Sequence, residues 1–315
     1  MTFRHFLITR FSYRGKDAFK EIAGPTFHRG GDPLEPARLE LRFKVFEFTC
    51  LPSVLAQSEA NFAWIILVDR ALPAKYHDRL RSLTKYKKDT FIHPFDPQLS
   101  LATLGWLRPY LSDDNDYVIT TNLDDDDSLP TRYVAEIQTR LGCLERIDAA
   151  PLTGIVGARQ IIEWDLLTSR DAPFGWKASW HRGPSVASAG LTLSCKAPNV
   201  DLCVLALRHV RAETYLDFSR PPAHGNVRWF QDTIVRAAQA VHVDVTAWDH
   251  DDLFHDISEE VGPVLMTNHV RNDQTQRLFE QKTRARVTGP GDFPGLPIDW
   301  EKARAYAPSF ESTDA

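Results

Sequence analysis

The spacing of apolar and polar positions changes along this chain, and each change predicts an element. His5 to Phe11 is an apolar stretch of strand length, and Ser12 to Pro36, with four glycines and three prolines, predicts a long loop. From Ala37 to Glu59 apolar residues recur at helical spacing, with Pro52 predicting a break between a helix and a second short turn. Phe62 to Asp69 is a continuous apolar run closed by an acid, the pattern of a parallel strand covered on both faces. Leu72 to Leu83 predicts a helix, Thr90 to His93 a short strand, Leu99 to Tyr110 a helix and Tyr117 to Leu123 another strand. Pro130 to Leu144 predicts an amphipathic helix with Tyr133, Ile137 and Leu141 on one face.

Strand and helix thus alternate through the first half, which favours an α/β class with an open, mostly parallel twisted sheet. Such sheets bind ligands at the carboxyl ends of their strands. The second half is more mixed. Ile155 to Glu163 and Ala187 to Cys195 predict strands, separated by a Trp-rich loop from Phe174 to Trp180. Val227 to Val241 predicts a helix and Val243 to Trp248 a strand, and the last thirty residues, rich in Pro and Gly, are expected to drape over the surface.

Composition narrows the picture modestly. With 315 residues, 43 % of them hydrophobic, the chain can build one large domain or two modest ones. A net charge of −5, from 37 basic and 42 acidic residues, gives no overall attraction to nucleic acid. The longest apolar run, Phe62 to Val68, is seven residues, so no membrane span is expected, although peripheral association stays open. Met1 to Arg10 is too short and too charged for a signal peptide. Cys50, Cys143, Cys195 and Cys203 have no zinc spacing and are expected to pack as small hydrophobes in a reducing, cytoplasmic setting.

The candidate chemistry begins with Asp124-Asp125-Asp126-Asp127 at the end of the strand Tyr117 to Leu123. Four adjacent carboxylates repel one another, so either something positive sits among them or they are fully solvated. If the backbone stays extended, Asp124 and Asp126 point to one side and Asp125 and Asp127 to the other. One such pair could hold a divalent cation and leave positions open for phosphates; the alternative is a solvated loop or helix start before Ser128-Leu129-Pro130. Asp69, at another strand end, could accept from a base or ribose, or close a turn before Ala71. Asp232, near the start of a helix, could accept a proton from a sugar hydroxyl, or be a dipole-favoured acid. His269 could complete a cation site, or be structural, and His250 to Asp256 reads as a solvated loop. There is no phosphate loop, no dinucleotide fingerprint, no nucleophile elbow and no EF-hand loop.

Taken in order, Leu51-Pro52-Ser53-Val54-Leu55-Ala56-Gln57-Ser58, then Ile65-Ile66-Leu67-Val68-Asp69, then Thr120-Thr121-Asn122-Leu123-Asp124-Asp125-Asp126-Asp127-Ser128-Leu129 resemble the GT-A nucleotide-diphosphosugar transferases. Within these the chain is most similar to the bacterial rhamnosyltransferase family, from about residue 3 to 280. The resemblance implies a GT-A domain over 1–285, with a nucleotide-sugar half to about 145, an acceptor half beyond it, and a tail over 286–315. It implies a nucleotide-sugar donor contacted by Thr9, Arg10, Asp69, Asn122, Asp124 and Asp125, and a divalent metal, Mn or Mg, on Asp124, Asp126 and His269. Gln231-Asp232-Thr233-Ile234-Val235-Arg236 resembles the base-bearing segment of inverting members, which makes Asp232 the expected base. Trp176, Trp180 and Trp229 are expected either as platforms for a glycan or other hydroxyl acceptor or as core. A Mg-dependent phosphate-ester hydrolase and a non-catalytic GT-A-like binding module are the alternatives.

Overall fold

The computed structural model describes residues 2–12, 32–96, 99–112, 114–144, 153–166, 177–183, 186–197, 199–207, 212–219, 221–222, 224–245, 248, 253–268, 285–287 and 289–310. Among these, the first strands are β1 (Phe3–Phe11), β2 (Ala63–Asp69), β3 (Thr90–Phe95), β4 (Tyr117–Asn122) and β5 (Thr153–Gly157). They are followed by β6 (Gln160–Asp165), β7 (Lys177–Arg182), β8 (Thr192–Lys196), β9 (Phe254–Asp256), β10 (Val264–Asn268) and β11 (Ala285–Arg286). The seven-stranded sheet runs β3-β2-β1-β4-β8-β5-β9, and a second sheet runs β10-β6-β7-β11. β1 pairs in parallel with β2 and β4, whereas β8 is antiparallel to both β4 and β5. The large sheet is therefore the open, mostly parallel one that the alternating pattern predicts.

Both faces of β1 are buried, so its apolar residues divide between two layers by simple alternation. Phe6 and Ile8 join Ile65 and Val118 beneath α5 (Gly225–Ala240), through Phe230 and Ile234. Leu7 and Phe11 join Trp64, Ile66 and Ile119 beneath α1 (Pro36–Phe48), α3 (Ala74–Thr84) and α4 (Tyr133–Leu144), through Phe43, Tyr76 and Tyr133. Among the described residues no helix is long and apolar enough to cross a membrane.

Several expectations need correction. The break in the first helical segment falls at Thr49, between α1 and α2 (Cys50–Leu55), and not at Pro52. Thr49 Oγ1 donates to Val45 O at 2.7 Å, and Pro52 sits in the first turn of α2, where its missing N–H is not needed. Residues 99–110 form only a 3-10 turn over Gly105–Tyr110, since Gly105 and the internal Pro109 disfavour a full helix. The predicted strand from Ile155 to Glu163 divides at Ala158-Arg159 into β5 and β6, which belong to different sheets. Strand β8 starts only at Thr192, because Gly190 turns the chain at φ +80° with Tyr133 packed against it. Part of the Trp-rich loop is β7, and no strand forms over 243–245, where Val243 N closes back on Ala238 O at 2.9 Å.

The expected solvated loop at His255-Asp256 is strand β9, and Asp256 accepts from Arg159 N and Ser258 N. The C-terminal segment does not drape. Val287, Phe293, Leu296 and Trp300 are buried with Phe48, Trp164 and Leu265, because this face of the small sheet is apolar and needs a cover.

Candidate active site

Strand β4 ends at Asn122, whose N–H still donates to Leu191 O, and Leu123 N donates to Ile8 O at 3.0 Å. Ser128 is already on another sheet: its N–H and carbonyl pair with Leu265 at 3.0 and 2.9 Å, along the open edge of β10. The acids are the passage between the two sheets, so they turn instead of staying extended. Asp127 N donates to Asp124 O at 3.1 Å, and the expected alternation of Asp124 and Asp126 against Asp125 and Asp127 does not arise.

Burial then gives each carboxylate a different environment. Asp124, 27 % exposed, takes both contacts from Arg10 on one oxygen: Nε and Nη2 reach Oδ1 at 3.2 and 2.8 Å. Asp125, 1 % exposed, is held by a two-pronged pair in which Arg42 Nε reaches Oδ2 at 2.9 Å and Nη2 reaches Oδ1. Burial pushes the Asp125 carboxyl up to about 6, against the pull of Arg42 and with the help of Asp126. Asp127 is buried, and burial together with Asp126 and Asp124 raises it well above the usual carboxylate range, although Thr267 N donates to its Oδ1 at 3.2 Å. Asp126 is also buried, and its carbonyl accepts from Thr267 Oγ1. A freely solvated acidic loop is therefore excluded.

The other expected residues divide. Thr9 is fully buried and accepts from Trp64 Nε1 at 3.0 Å, so its side chain ties β1 to β2 from inside. Asp69 Oδ1 accepts from Ala71 N at 2.8 Å, the turn that its setting allowed. Asn122 donates through Nδ2 to Ser188 O at 3.1 Å, while its buried Oδ1 has no partner among the described residues. Gln231 is buried and donates to Asp217 O, whereas the neighbouring Asp232 is exposed. Asp232 lines a cavity of about 560 Å³ with Phe218, Arg228 and Asp244. Among the described residues no hydrogen bond or ion pair joins it to the acid run, and α5 covers the opposite layer from α1. Trp180, 44 % exposed, packs near Phe293, and Trp229 is half-buried on α5. Trp176, His250 and His269 lie outside the described residues.

The donor chemistry of the run fits a hard divalent cation, which takes oxygen ligands and, in phosphate-binding sites, often only one or two carboxylates. Among the described residues no three His, Cys, Asp or Glu side chains form a full cage, so the substrate would have to complete the coordination. Two buried oxygens without partners among the described residues, Asn122 Oδ1 and Ser128 Oγ, flank the run on either side.

Residues 4–200 match the family model described as "Putative rhamnosyl transferase". The chain belongs to this rhamnosyl transferase family. No curated protein matches it. Among solved structures it is similar to S. aureus TarS 1–349 in complex with UDP, at 10 % identity and TM-score 0.33, covering 85 % of this chain and 61 % of that one. Against TarS 1–349 in complex with UDP-GlcNAc it spans only 38 % of that chain and 56 % of its own, at 11 % identity and TM-score 0.27. A nucleotide-diphospho-sugar transferase from Desulfovibrio desulfuricans G20 matches at 9 % identity and TM-score 0.31, over 85 % of this chain and 80 % of that one. Family membership rests on the sequence match and not on these superpositions.

Two residues of this rhamnosyl transferase family member escaped the sequence reading. Arg42 and Thr267 hold the run from α1 and β10, at 83 and 140 residues from their partners Asp125 and Asp127. Only one signal was available for Arg42, a cation among the apolar residues of α1 in a chain whose four acids require countercharge.

Proposed function

We propose that the protein is a metal-dependent glycosyltransferase that moves a sugar from a nucleotide-diphosphosugar to a glycan or other hydroxyl acceptor, with inversion. The observation that carries this reading is the acid turn at the carboxyl end of β4, inside the region that matches the family. Rhamnose enters as the family's label for the sugar. Asp124 and Asp126 would hold the cation, Mn²⁺ or Mg²⁺, with His269 as a third ligand. When bound, the cation supplies Lewis-acid stabilisation of the departing nucleoside diphosphate.

The electrostatics support the need for such an ion. At about 4 Å and an effective dielectric near 20, each pair of unit charges is worth roughly 4 kcal/mol, so uncovered carboxylates repel a diphosphate strongly. Arg10 and Arg42 offset part of that charge and set the turn in place. Asp232 would take the proton of the attacking acceptor hydroxyl, and its exposed place on a cavity lined also by Phe218 and Arg228 suits an acceptor sugar. It lies beyond the matched residues, so its support is the local motif and that cavity.

Incubating the purified protein with Mn²⁺, a panel of nucleotide-sugars and hydroxyl acceptors tests this reading. Acceptor-dependent sugar transfer is the expected result, abolished by Asp126→Ala. Free phosphate without transfer would favour the phosphate-ester hydrolase, and a cellular role unchanged in Asp126→Ala would favour the binding module.

A further inference from the structure

The two arginine–aspartate pairs of the acid run differ in geometry, burial and backbone setting. Arg42 engages both oxygens of Asp125, so that carboxylate is saturated, and the pair is 14 % and 1 % exposed. Arg10 reaches only Oδ1 of Asp124, through Nε and Nη2, and no described residue bonds Oδ2; this pair is 33 % and 27 % exposed. Arg42 sits in the middle of α1, between the buried Leu41 and Phe43. Arg10 is the penultimate residue of β1, two residues before Ser12, a non-glycine residue at φ +47° where the strand stops. A half-exposed pair of this kind is screened by water and costs little to separate. Breaking the buried pair would strand a charge in the interior.

Resting on the metal-dependent reading above, we propose that the run carries two counter-ions of different kinds. Arg42 is a permanent one that positions the turn through Asp125. Arg10 is an exchangeable one that gives up Asp124 to the divalent cation as the donor's diphosphate takes the guanidinium. The exchange balances charge at each stage. Before the donor arrives, Arg10 offsets Asp124. Afterwards the cation offsets Asp124, and Arg10, with a planar fork suited to phosphate oxygens, offsets the diphosphate. Metal and diphosphate therefore bind cooperatively, and Arg10 carries the coupling. Arg42 is a positioning residue, since it touches neither ligand.

Mn²⁺ affinity of the full chain, measured by electron paramagnetic resonance with and without thymidine or uridine diphosphate, tests this. Arg10→Gln should bind Mn²⁺ alone about tenfold more tightly than wild type and lose most of the enhancement that the diphosphate gives. Arg42→Gln should bind Mn²⁺ about tenfold or more weakly, as for loss of a residue supporting a ligand, with Arg42→Lys in between. Simple removal of positive charge predicts tighter binding in both variants, so the opposite signs are diagnostic. Arg10→Gln binding unchanged or weaker, or keeping the full diphosphate enhancement, overturns the exchange. Unchanged or tighter binding in Arg42→Gln overturns the positioning role; should that variant not fold, Arg42→Lys carries the arm, with wild-type affinity as the overturning result. If wild type binds no Mn²⁺ under any of these conditions, the metal reading falls and takes this proposal with it. If wild type binds Mn²⁺ and transfers sugar, other outcomes remove this proposal alone.

Discussion

Between positions 124 and 127 one side chain occurs four times in four states. Asp124 is half-exposed and shares one oxygen with Arg10; Asp125 is buried and saturated by Arg42; Asp127 is buried against Thr267; Asp126 is buried between them. Identical chemistry is differentiated by burial and by partner, which is how one acid run can serve structure and ligand together. At this scale the base assignment is testable. Asp232→Asn should lower turnover by about 10²–10⁴-fold while donor affinity stays near wild type, as measured by steady-state kinetics and donor titration. Loss of donor binding would remove Asp232 from the base role. The sequence alone left two settings for four adjacent acids, a positive partner or full solvation. It did not show that Arg10 and Arg42 are among the partners, because these lie 114 and 83 residues away and only the folded sheet brings them close.

Elements were legible where a run was long and strongly periodic. The strands β1, β2 and β4 and the helices α4 and α5 stand close to where the pattern placed them. The pattern failed where tertiary pairing decides. Nothing local separates β5 from β6, yet Val156 pairs with Thr192 and Ile161 with His181, in different sheets. β1 and β4 are also tied by a buried polar chain. Gln138 donates to His5 Nδ1 at 3.2 Å, His5 Nε2 meets Thr121 Oγ1 at 2.8 Å, and Thr121 meets Thr192 at 2.7 Å. With Gln138 donating to Nδ1, the imidazole is neutral, and burial lowers its pKa to about 3.

The sign follows directly. A histidine held neutral binds fewer protons folded than unfolded between its ordinary value of 6.5 and about 3. Its stabilising effect is complete above the ordinary value and is lost progressively as the pH falls through this window. His5→Gln should therefore show a shallower fall in thermal midpoint than wild type between about pH 6.5 and pH 4. Parallel profiles would show that His5 does not contribute to acid sensitivity.

At the scale of the whole molecule, the described residues form two sheets that the chain joins through the acid run, as it also does at Ala158-Arg159. The large sheet ends its fourth strand at Asn122, and the small sheet takes up the chain at Ser128 against Leu265. The run is thus held from both sides, by α1 through Arg42 and by β10 through Thr267. The C-terminal segment completes the small sheet's layer, with Trp300 5.4 Å from Trp164 and Asp299 N bonded to Phe48 O. Its Pro and Gly content suggested a surface tail, whereas its buried Phe293, Leu296 and Ile298 make it core. Deleting residues from Gly289 onward should expose Trp164 and Phe48 and lower the thermal midpoint sharply; a midpoint unchanged from wild type would show that the layer stands without this cover.

The most direct measurement is a crystal of the full chain soaked with Mn²⁺ and a nucleoside diphosphate, with the ion located by its anomalous signal. The account predicts an ion on the carboxylates of Asp124 and Asp126, touching the diphosphate, with Asp125 still on Arg42. An ion elsewhere, or a diphosphate bound with Asp124 and Asp126 taking no part, would contradict it.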